Sequence, residues 1–187
     1  NRLGLPNPGI DSLNINQARA KIVSIHGFDR SEWVRLVDKL VLPVTSVEFN
    51  VACPNVGRKT SVSEVIPAID KALRDGLHVV AKLPPYRWMD LAIPLHGAGV
   101  RCFHACNTLT TPSGGLSGKT LKPLSLWAVR DIKDRWGDAV CVIGGGGVTH
   151  MTDYVDYKRV GADRVAIASV LLNPLNWRRI RRLIEVA

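Results

Sequence analysis

The sequence predicts an α/β protein whose fold is an incomplete (β/α)8 barrel of the TIM type. Apolar, strand-like runs alternate with helical patterns along all 187 residues, which is typical of parallel strands joined by right-handed crossovers. Several runs are almost continuously apolar, as strands buried on both faces are. Nearly every run also ends in a polar or glycine-rich cluster. A barrel gathers such strand ends into one mouth, whereas a doubly wound sheet uses mainly those near its switch point.

Six strands are expected along the chain. They cover residues 20–27, 46–53, 78–83, 100–107, 139–143 and 164–168. A closed barrel of this type needs eight strands and typically about 250 residues. We therefore interpret the six as the third to eighth strands of a barrel, and expect the first two strand units to precede Asn1. Residues 1–187 are expected to form a single domain that lacks those units.

Helices are predicted between the strands from capping residues and helix-breaking residues. Ser31 is the expected N-cap of a helix over residues 32–42, and Ser63 that of a helix over residues 64–74. Pro123 opens a helix over residues 124–136 that Gly137 closes, and a last helix covers about 176–184.

The composition limits the classes of partner. The net charge is +9 and the pI about 9.8, which we interpret as a solvated basic surface. Aromatic residues make up only 6%, too few for the base-stacking platforms of single-strand-binding proteins, so we expect no nucleic-acid partner. No apolar stretch reaches the length of a membrane span. The four cysteines form no C-x-x-C pair, a usage that indicates reduced thiols in a cytoplasmic protein.

The most informative strand end is the run Phe-Asn-Val-Ala-Cys-Pro-Asn at residues 49–55. It places the thiol of Cys53 between the carboxamides of Asn50 and Asn55, and Pro54 restricts Cys53 to extended geometry. Carboxamides both donate and accept hydrogen bonds, which suits the edges of a flat polar heterocycle. A thiol beside them can move a proton. The run therefore predicts a binding site for a small polar ring.

Glycine and small residues follow the last two strands. Gly144 to Gly147 come directly after one strand, and Ala168-Ser169 follow the other. Glycines let a phosphate approach backbone N–H groups closely, and barrels commonly bind phosphate between the loops after their seventh and eighth strands. A plain tight turn remains the alternative for the four glycines alone. Lys82 ends another strand, where it meets an anionic ligand atom or simply extends along the surface.

Two further segments leave alternatives open. Residues 107–118 form a long polar connection, which is usually functional or disordered, although simple loop chemistry also accounts for it. Cys102, His104 and Cys106 share one face of a strand. No second ligand pair occurs at zinc-finger spacing, so we expect buried core residues there and no metal.

Together these motifs resemble the dihydroorotate dehydrogenases, FMN-dependent (β/α) barrel enzymes of pyrimidine synthesis. The resemblance runs from Asn1 to about Pro174. Its motifs lie at residues 1–9, 49–55, 81–83, 107–108, 114–118, 121–123, 143–148 and 161–169. Each motif alone is weak, but their presence in this order is specific.

The resemblance implies roles for particular residues. Cys53 matches the catalytic base, which indicates the soluble, cysteine-containing class. The implied substrate-binding residues are Asn1, Leu3, Gly4, Leu5, Asn50, Asn55, Asn107 and Thr108. The implied FMN contacts are Asn50, Lys82, Gly118, Gly146, Gly147, Ala168 and Ser169. Members of the cysteine class usually carry glycine where Ala168 stands, and a methyl group there can crowd the phosphate loop.

The activity that the resemblance implies is oxidation of dihydroorotate to orotate, with a hydride passing to flavin N5 and a proton to Cys53. One alternative is a related FMN barrel acting on another dihydropyrimidine. Another is an inactive remnant, or a basic scaffold that binds phosphate or nucleic acid. Fumarate, a quinone or an NAD-linked partner subunit would serve as electron acceptor. A homodimer is common among soluble members.

Overall fold

The computed structural model describes residues 8–13, 22–40, 43–53, 61–112 and 114–186. Within these ranges eight strands, numbered in chain order, form two sheets. The large sheet contains β1 (Ile22–Ile25), β2 (Ser46–Phe49), β3 (His78–Lys82), β4 (Cys102–Ala105), β7 (Cys141–Gly145) and β8 (Arg164–Ala166). The small sheet is an antiparallel pair of β5 (Leu109–Thr111) and β6 (Gly114–Leu116).

The order of strands in the large sheet settles the choice between barrel and doubly wound sheet. All five pairings are parallel, and each strand pairs with the next strand of this sheet along the chain, in the order β1-β2-β3-β4-β7-β8. A doubly wound sheet reverses its strand order at a switch point, whereas a barrel does not. Within the described ranges β1 and β8 are the two edges. The predicted incomplete barrel is therefore confirmed.

The described residues contain six helices; five connect the strands and cover one face of the sheet, and the sixth follows β8. They are α1 (Arg30–Asp38), α2 (Val62–Arg74), α3 (Trp88–Gly97), α4 (Lys122–Trp136), α5 (Met151–Arg159) and α6 (Trp177–Val186). The strand residues that face the helices, such as Phe49, Ala81 and Phe103, are fully buried. Alternate strand residues such as Cys102 and His104 face the barrel side and are only partly buried. The main core therefore lies between the helices and the sheet.

The helix starts differ from the predicted ones in a consistent way. Asp29, rather than Ser31, caps α1, because its extended backbone lets its carboxylate accept a hydrogen bond from Glu32 N at 2.8 Å. Ser61, rather than Ser63, caps α2, and Glu64 accepts a hydrogen bond from the Ser61 N–H at 3.2 Å. Each helix begins with the earlier polar residue that has non-helical geometry, as N-caps do.

The connection after β4 contains a hairpin that the sequence did not predict. Residues 107–118 were expected to be a polar loop, but they contain the hairpin of β5 and β6, in which Thr111 Oγ1 donates to Gly114 O at 2.6 Å. The hairpin follows Asn107 and stands beside the carboxyl end of the sheet.

Two surface expectations can be compared with the described residues. The basic run at the chain end lies on α6, where Arg178, Arg181 and Arg182 are exposed, as a solvated basic surface requires. No helix in the described ranges combines the length and the apolar character that crossing a membrane needs.

Candidate active site

The predicted site residues follow the carboxyl ends of neighbouring strands. Asn50 and Cys53 follow β2, Lys82 ends β3, and Asn107-Thr108 follow β4. Gly146-Gly147 follow β7 and Ala168-Ser169 follow β8. Parallel strands that pair in sequence bring these ends to one edge of the sheet, which we call the mouth. Five predicted substrate-binding residues, Asn1, Leu3, Gly4, Leu5 and Asn55, lie outside the described residues.

The carboxamide of Asn107 ties the ends of β2 and β4 together. Its Nδ2 donates to Asn50 Oδ1 at 2.7 Å and to the carbonyl of Ala52 at 2.7 Å. Its Oδ1 accepts from the Thr108 N–H at 2.8 Å. Asn107 is only 6% exposed, so breaking these bonds would leave buried polar atoms without partners. The arrangement holds the residue before Cys53 against β4.

The backbone of Asn50 is held from the other side. Its N–H donates to Ile25 O at 2.9 Å, and its carbonyl accepts a hydrogen bond from His26 Nδ1 at 2.9 Å. With Oδ1 engaged by Asn107, the Asn50 Nδ2 group donates to none of the described residues. It can therefore donate to a carbonyl of a bound ring. Cys53, three residues along the chain, is 8% exposed.

The glycine turn after β7 presents backbone donors. The Gly145 carbonyl accepts from Ser125 Oγ at 2.6 Å, and the Gly146 carbonyl accepts from Tyr157 Oη at 2.7 Å. In a trans peptide the N–H points opposite to the C=O, so the N–H groups of Gly146 and Gly147 point away from these hydroxyls. No described residue accepts a hydrogen bond from either N–H. Successive free N–H groups of this kind bind anions.

Glycine is required at position 147 by both conformation and space. Its φ is +72°, and a Cβ built there would lie 2.8 Å from Lys119 Cα and 2.9 Å from Gly118 O. The missing side chain therefore lets the turn after β7 pack on Gly118, which itself has a φ of +85°. Two of the predicted FMN contacts are thus brought together. Ala168 has a φ of −135° and is exposed, so its backbone does not require glycine.

Lys122, one of two lysines beside this turn, is already paired. Lys122 Nζ bonds Asp153 Oδ1 and, at 2.8 Å, Asp156 Oδ2. Burial alone would raise the pKa of Asp153, but hydrogen bonds from Lys122 and from the N–H groups of Thr149 and His150 hold that pKa well below its usual range. The two carboxylates neutralise Lys122. Lys122 therefore adds little to the attraction of an anion at the turn.

An interior carboxylate that the sequence interpretation missed lies below the mouth. Glu48 accepts hydrogen bonds from Ser24 Oγ at 2.8 Å and His104 Nδ1 at 2.6 Å, and Lys82 Nζ lies 3.7 Å from Glu48 Oε1. Burial opposes its charge, yet these partners lower the pKa of Glu48 to about 2. The sequence does indicate this carboxylate, because Glu48 interrupts an apolar strand and shares a face of it with Asn50.

The expectation of core residues at Cys102, His104 and Cys106 is therefore wrong in part. Cys106 is buried, and burial raises its pKa to about 11. His104 instead pairs with Glu48, because alternate residues of β4 face the barrel side rather than the helices. Burial and the neighbouring Cys141 thiol raise the pKa of Cys102. Within the described ranges no group of three or more histidine, cysteine or acidic residues could hold a metal ion.

The described residues fit a flavin nucleotide. Free backbone N–H groups at Gly146 and Gly147 suit a phosphate. Asn50 and Lys82, on the neighbouring strands β2 and β3, offer an amide donor and an ammonium for the polar edge of a flavin ring. Gly118 and Lys119 fill the space beside Gly147, so this part of the turn needs no rearrangement to receive a phosphate.

Comparisons with known proteins identify related chains and a shared fold. A family model described as dihydroorotate dehydrogenase matches residues 95–186. The chain is 31% identical over 215 residues to the dihydroorotate dehydrogenase B (NAD(+)) catalytic subunit of Thermococcus kodakarensis, with 99% of this chain and 69% of that one covered. It is 30% identical over 203 residues to the protein of that name from Methanocaldococcus jannaschii, with 90% and 65% covered.

A solved structure, DHODH from Eimeria tenella in complex with ferulenol, shows the same fold. The TM-score is 0.68 at 19% sequence identity, with 82% of this chain and 53% of that chain covered. The chain thus spans about two thirds of the sequence relatives and about half of the solved structure. From its sequence relatives, the chain belongs to the dihydroorotate dehydrogenase family.

Proposed function

We propose that the chain forms the catalytic part of an FMN-dependent enzyme that oxidises dihydroorotate to orotate in pyrimidine synthesis. The observation that carries the proposal is the double hydrogen bond from Asn107 to Asn50 and to the Ala52 carbonyl. It holds two carboxamides at the strand end that leads into Cys53, at a mouth that also contains the glycine turn. A ring with amide edges and an acidic carbon matches those groups.

Gly146, Gly147, Ala168 and Ser169 would hold the FMN phosphate, with Gly118 supporting the turn. Asn50 and Lys82 would contact the polar edge of the flavin ring. When bound, the flavin would supply the acceptor for a hydride from the substrate. The ammonium of Lys82 favours negative charge nearby and so favours the reduced state of such a cofactor.

The chain's own residues would then orient the substrate and move its proton. Asn50, Asn107 and Thr108, with Asn55, would hold the substrate ring in one orientation, which removes much of the entropic barrier to reaction. The Cys53 thiolate would take the proton from the substrate carbon next to the carbon that loses the hydride. Because Cys53 is largely buried, the proton is transferred out of contact with bulk water.

The electron acceptor is proposed from the relatives. Those reported above are named catalytic subunits of an NAD(+)-linked enzyme, so we propose that electrons leave through an NAD-linked partner subunit. We also propose a cytoplasmic setting, where four unpaired thiols such as those of this chain remain reduced.

Anaerobic stopped-flow reduction of the FMN-loaded chain by dihydroorotate tests the proposal. We expect bleaching of the flavin absorbance with dihydroorotate but not with dihydrouracil. Cys53→Ala should retain FMN and slow the bleaching by at least about 100-fold, the usual contribution of a general base. Cys141→Ala, which changes a thiol at the start of β7 far from the mouth, should react like the parent.

Each alternative activity has its own outcome in this experiment. Faster reduction by dihydrouracil would assign the chain to another dihydropyrimidine. A colourless protein that takes up no FMN would indicate a remnant. Bleaching of Cys53→Ala at the parent rate would show that Cys53 is not the base.

A further inference from the structure

The cluster around Glu48 contains Lys82, a proposed flavin contact, and three side chains that the proposed mechanism does not use. The carboxylate accepts from Ser24 on Oε1 and from His104 on Oε2. These residues lie on β1, β2, β3 and β4, so one carboxylate joins the first four strands of the sheet. The Glu48 side chain is only 11% exposed, and solvent therefore screens these contacts weakly.

The hydrogen-bond roles within the cluster follow from its charges. Glu48 is ionised and can only accept hydrogen bonds. The bond at 2.6 Å therefore requires that His104 carries a proton on Nδ1. The ring is accommodated by Gly145, where a Cβ would lie 3.1 Å from His104 Nε2. A Cβ at position 145 would crowd the imidazole, which would have to shift by a few tenths of an ångström.

The Lys82 ammonium lies too far from the Glu48 carboxylate for a direct hydrogen bond, and the two donors already on that carboxylate explain why. Its Nζ lies 3.7 Å from Glu48 Oε1, longer than the roughly 2.7–2.9 Å of a direct charge-assisted hydrogen bond. Ser24 already donates to Oε1 and His104 to Oε2. The ammonium is thus near a negative charge without being bound tightly to it, at the carboxyl end of β3.

We propose that His104 is a positioning residue that keeps the Lys82 ammonium available at the mouth by occupying Oε2 of Glu48. The proposal rests on the proposed flavin site and adds a residue that controls one of its contacts. Without an N–H donor at position 104, Oε2 would be a buried charged oxygen without a partner. Lys82 is the nearby cation able to satisfy it, and it would move onto the carboxylate and away from a ligand.

Two variants of His104 separate the donor from the ring. His104→Asn keeps an N–H donor near the position of Nδ1, and His104→Leu removes it. His78→Leu is the matched control, because His78 faces the same side of the sheet at the opposite end of β3. Circular dichroism and thermal unfolding first show that each variant of the 187-residue chain is folded.

The first measurement needs no flavin. Acetylation of Lys82 by a small N-hydroxysuccinimide ester is followed by mass spectrometry. We expect the Lys82 rate to fall about tenfold in His104→Leu, as the ammonium gains a charge-assisted hydrogen bond, and to recover in His104→Asn. Equal Lys82 rates in the parent and both variants would overturn the proposal. Should His104→Leu fail to fold, Glu48→Gln replaces it, and there the rate must rise because the anion is gone.

The second measurement is FMN affinity by fluorescence quenching. We expect His104→Leu to weaken binding by about tenfold, the value of one hydrogen bond to a charged group, with His104→Asn within about threefold of the parent and His78→Leu unchanged. Binding by His104→Leu as tight as the parent's would overturn the role of His104. If the parent itself binds no FMN, the flavin site is wrong, and the acetylation rates decide the positioning role alone.

Discussion

The two sides of the mouth are built from different chemical groups. On the side of β2 to β4, side chains provide the contacts, and Asn107 joins Asn50 to the Ala52 carbonyl beside Cys53. On the side of β7 and β8, the backbone provides them, because hydroxyl groups of Ser125 and Tyr157 hold two glycine carbonyls toward the helices. The side chains on the side of β2 to β4 can discriminate between ring edges. The backbone N–H groups on the side of β7 and β8 recognise negative charge without discriminating between anions.

This difference predicts opposite sensitivities to substitution. On the side of β2 to β4, ligand binding should be lost when a functional group is removed, even if backbone packing hardly changes. On the side of β7 and β8, ligand binding should be lost when a side chain is added, because the backbone donors need space rather than a particular residue.

The largest effect is expected for Gly147→Ala. Positive φ costs roughly 1–2 kcal/mol for alanine, and overpacking against Gly118 and Lys119 adds about 1–3 kcal/mol. Gly76→Ala is the matched control, because its φ is +77° and a Cβ there has no atom within 4 Å. Urea unfolding should show the larger loss for Gly147→Ala, with loss of FMN binding. Equal losses would contradict the close packing at Gly147.

The next effect is acid sensitivity from Glu48. Its folded pKa of about 2 lies below the ordinary value of 4.5, so its stabilisation is complete above about pH 4.5 and is lost as the pH falls toward 2. The shift corresponds to about 3 kcal/mol in the free energy of unfolding. Unfolding measured at pH 7 and pH 3 should show a smaller pH-dependent loss in Glu48→Gln than in the parent. An identical loss of stability in the parent and in Glu48→Gln would show that protonation of Glu48 does not cause the acid sensitivity.

A third prediction concerns Asn107. Asn107→Leu leaves Asn50 Oδ1 and the Ala52 carbonyl without their donor and should cost about 1–3 kcal/mol of stability. Asn107→Asp should cost more, because a carboxylate would face two acceptor oxygens. Both should slow flavin reduction by dihydroorotate while FMN still binds. If chemical denaturation ranks Asp as the milder change, the hydrogen bonds of Asn107 have been assigned in the wrong direction.

The smallest effect is expected for Ala168→Gly. Although family members of the cysteine class usually carry glycine there, Ala168 has a negative φ and is exposed. Removing the methyl group should change FMN affinity by less than about threefold, since surface changes are usually within about 0.5 kcal/mol. A tenfold gain in affinity would show that the methyl group crowds the phosphate loop.

The sequence predicts the backbone half of the mouth and part of the side-chain half. Glycines after β7 and the carboxamides around Cys53 stand at strand ends, where local patterns are visible. The pairing of Glu48 with His104 is not visible, because the two residues are 56 apart along the chain and meet only through the register of β2, β3 and β4. Register depends on packing of the whole sheet.

Helix starts and the hairpin were missed for local reasons. Ser31 and Ser63 each have an earlier polar residue, Asp29 and Ser61, that adopts the extended geometry of a cap. The hairpin of β5 and β6 has only three residues in each strand. Strands that short carry too little alternation to separate them from a polar loop.

A crystal structure of the chain with FMN and orotate would test the central claim most directly. We predict that the phosphate accepts hydrogen bonds from the N–H groups of Gly146 and Gly147, while orotate lies against Asn107 and the Cys53 thiol. A phosphate bound by side-chain cations, or an orotate bound away from Asn107 and Cys53, would contradict the division of the mouth into a backbone half and a side-chain half.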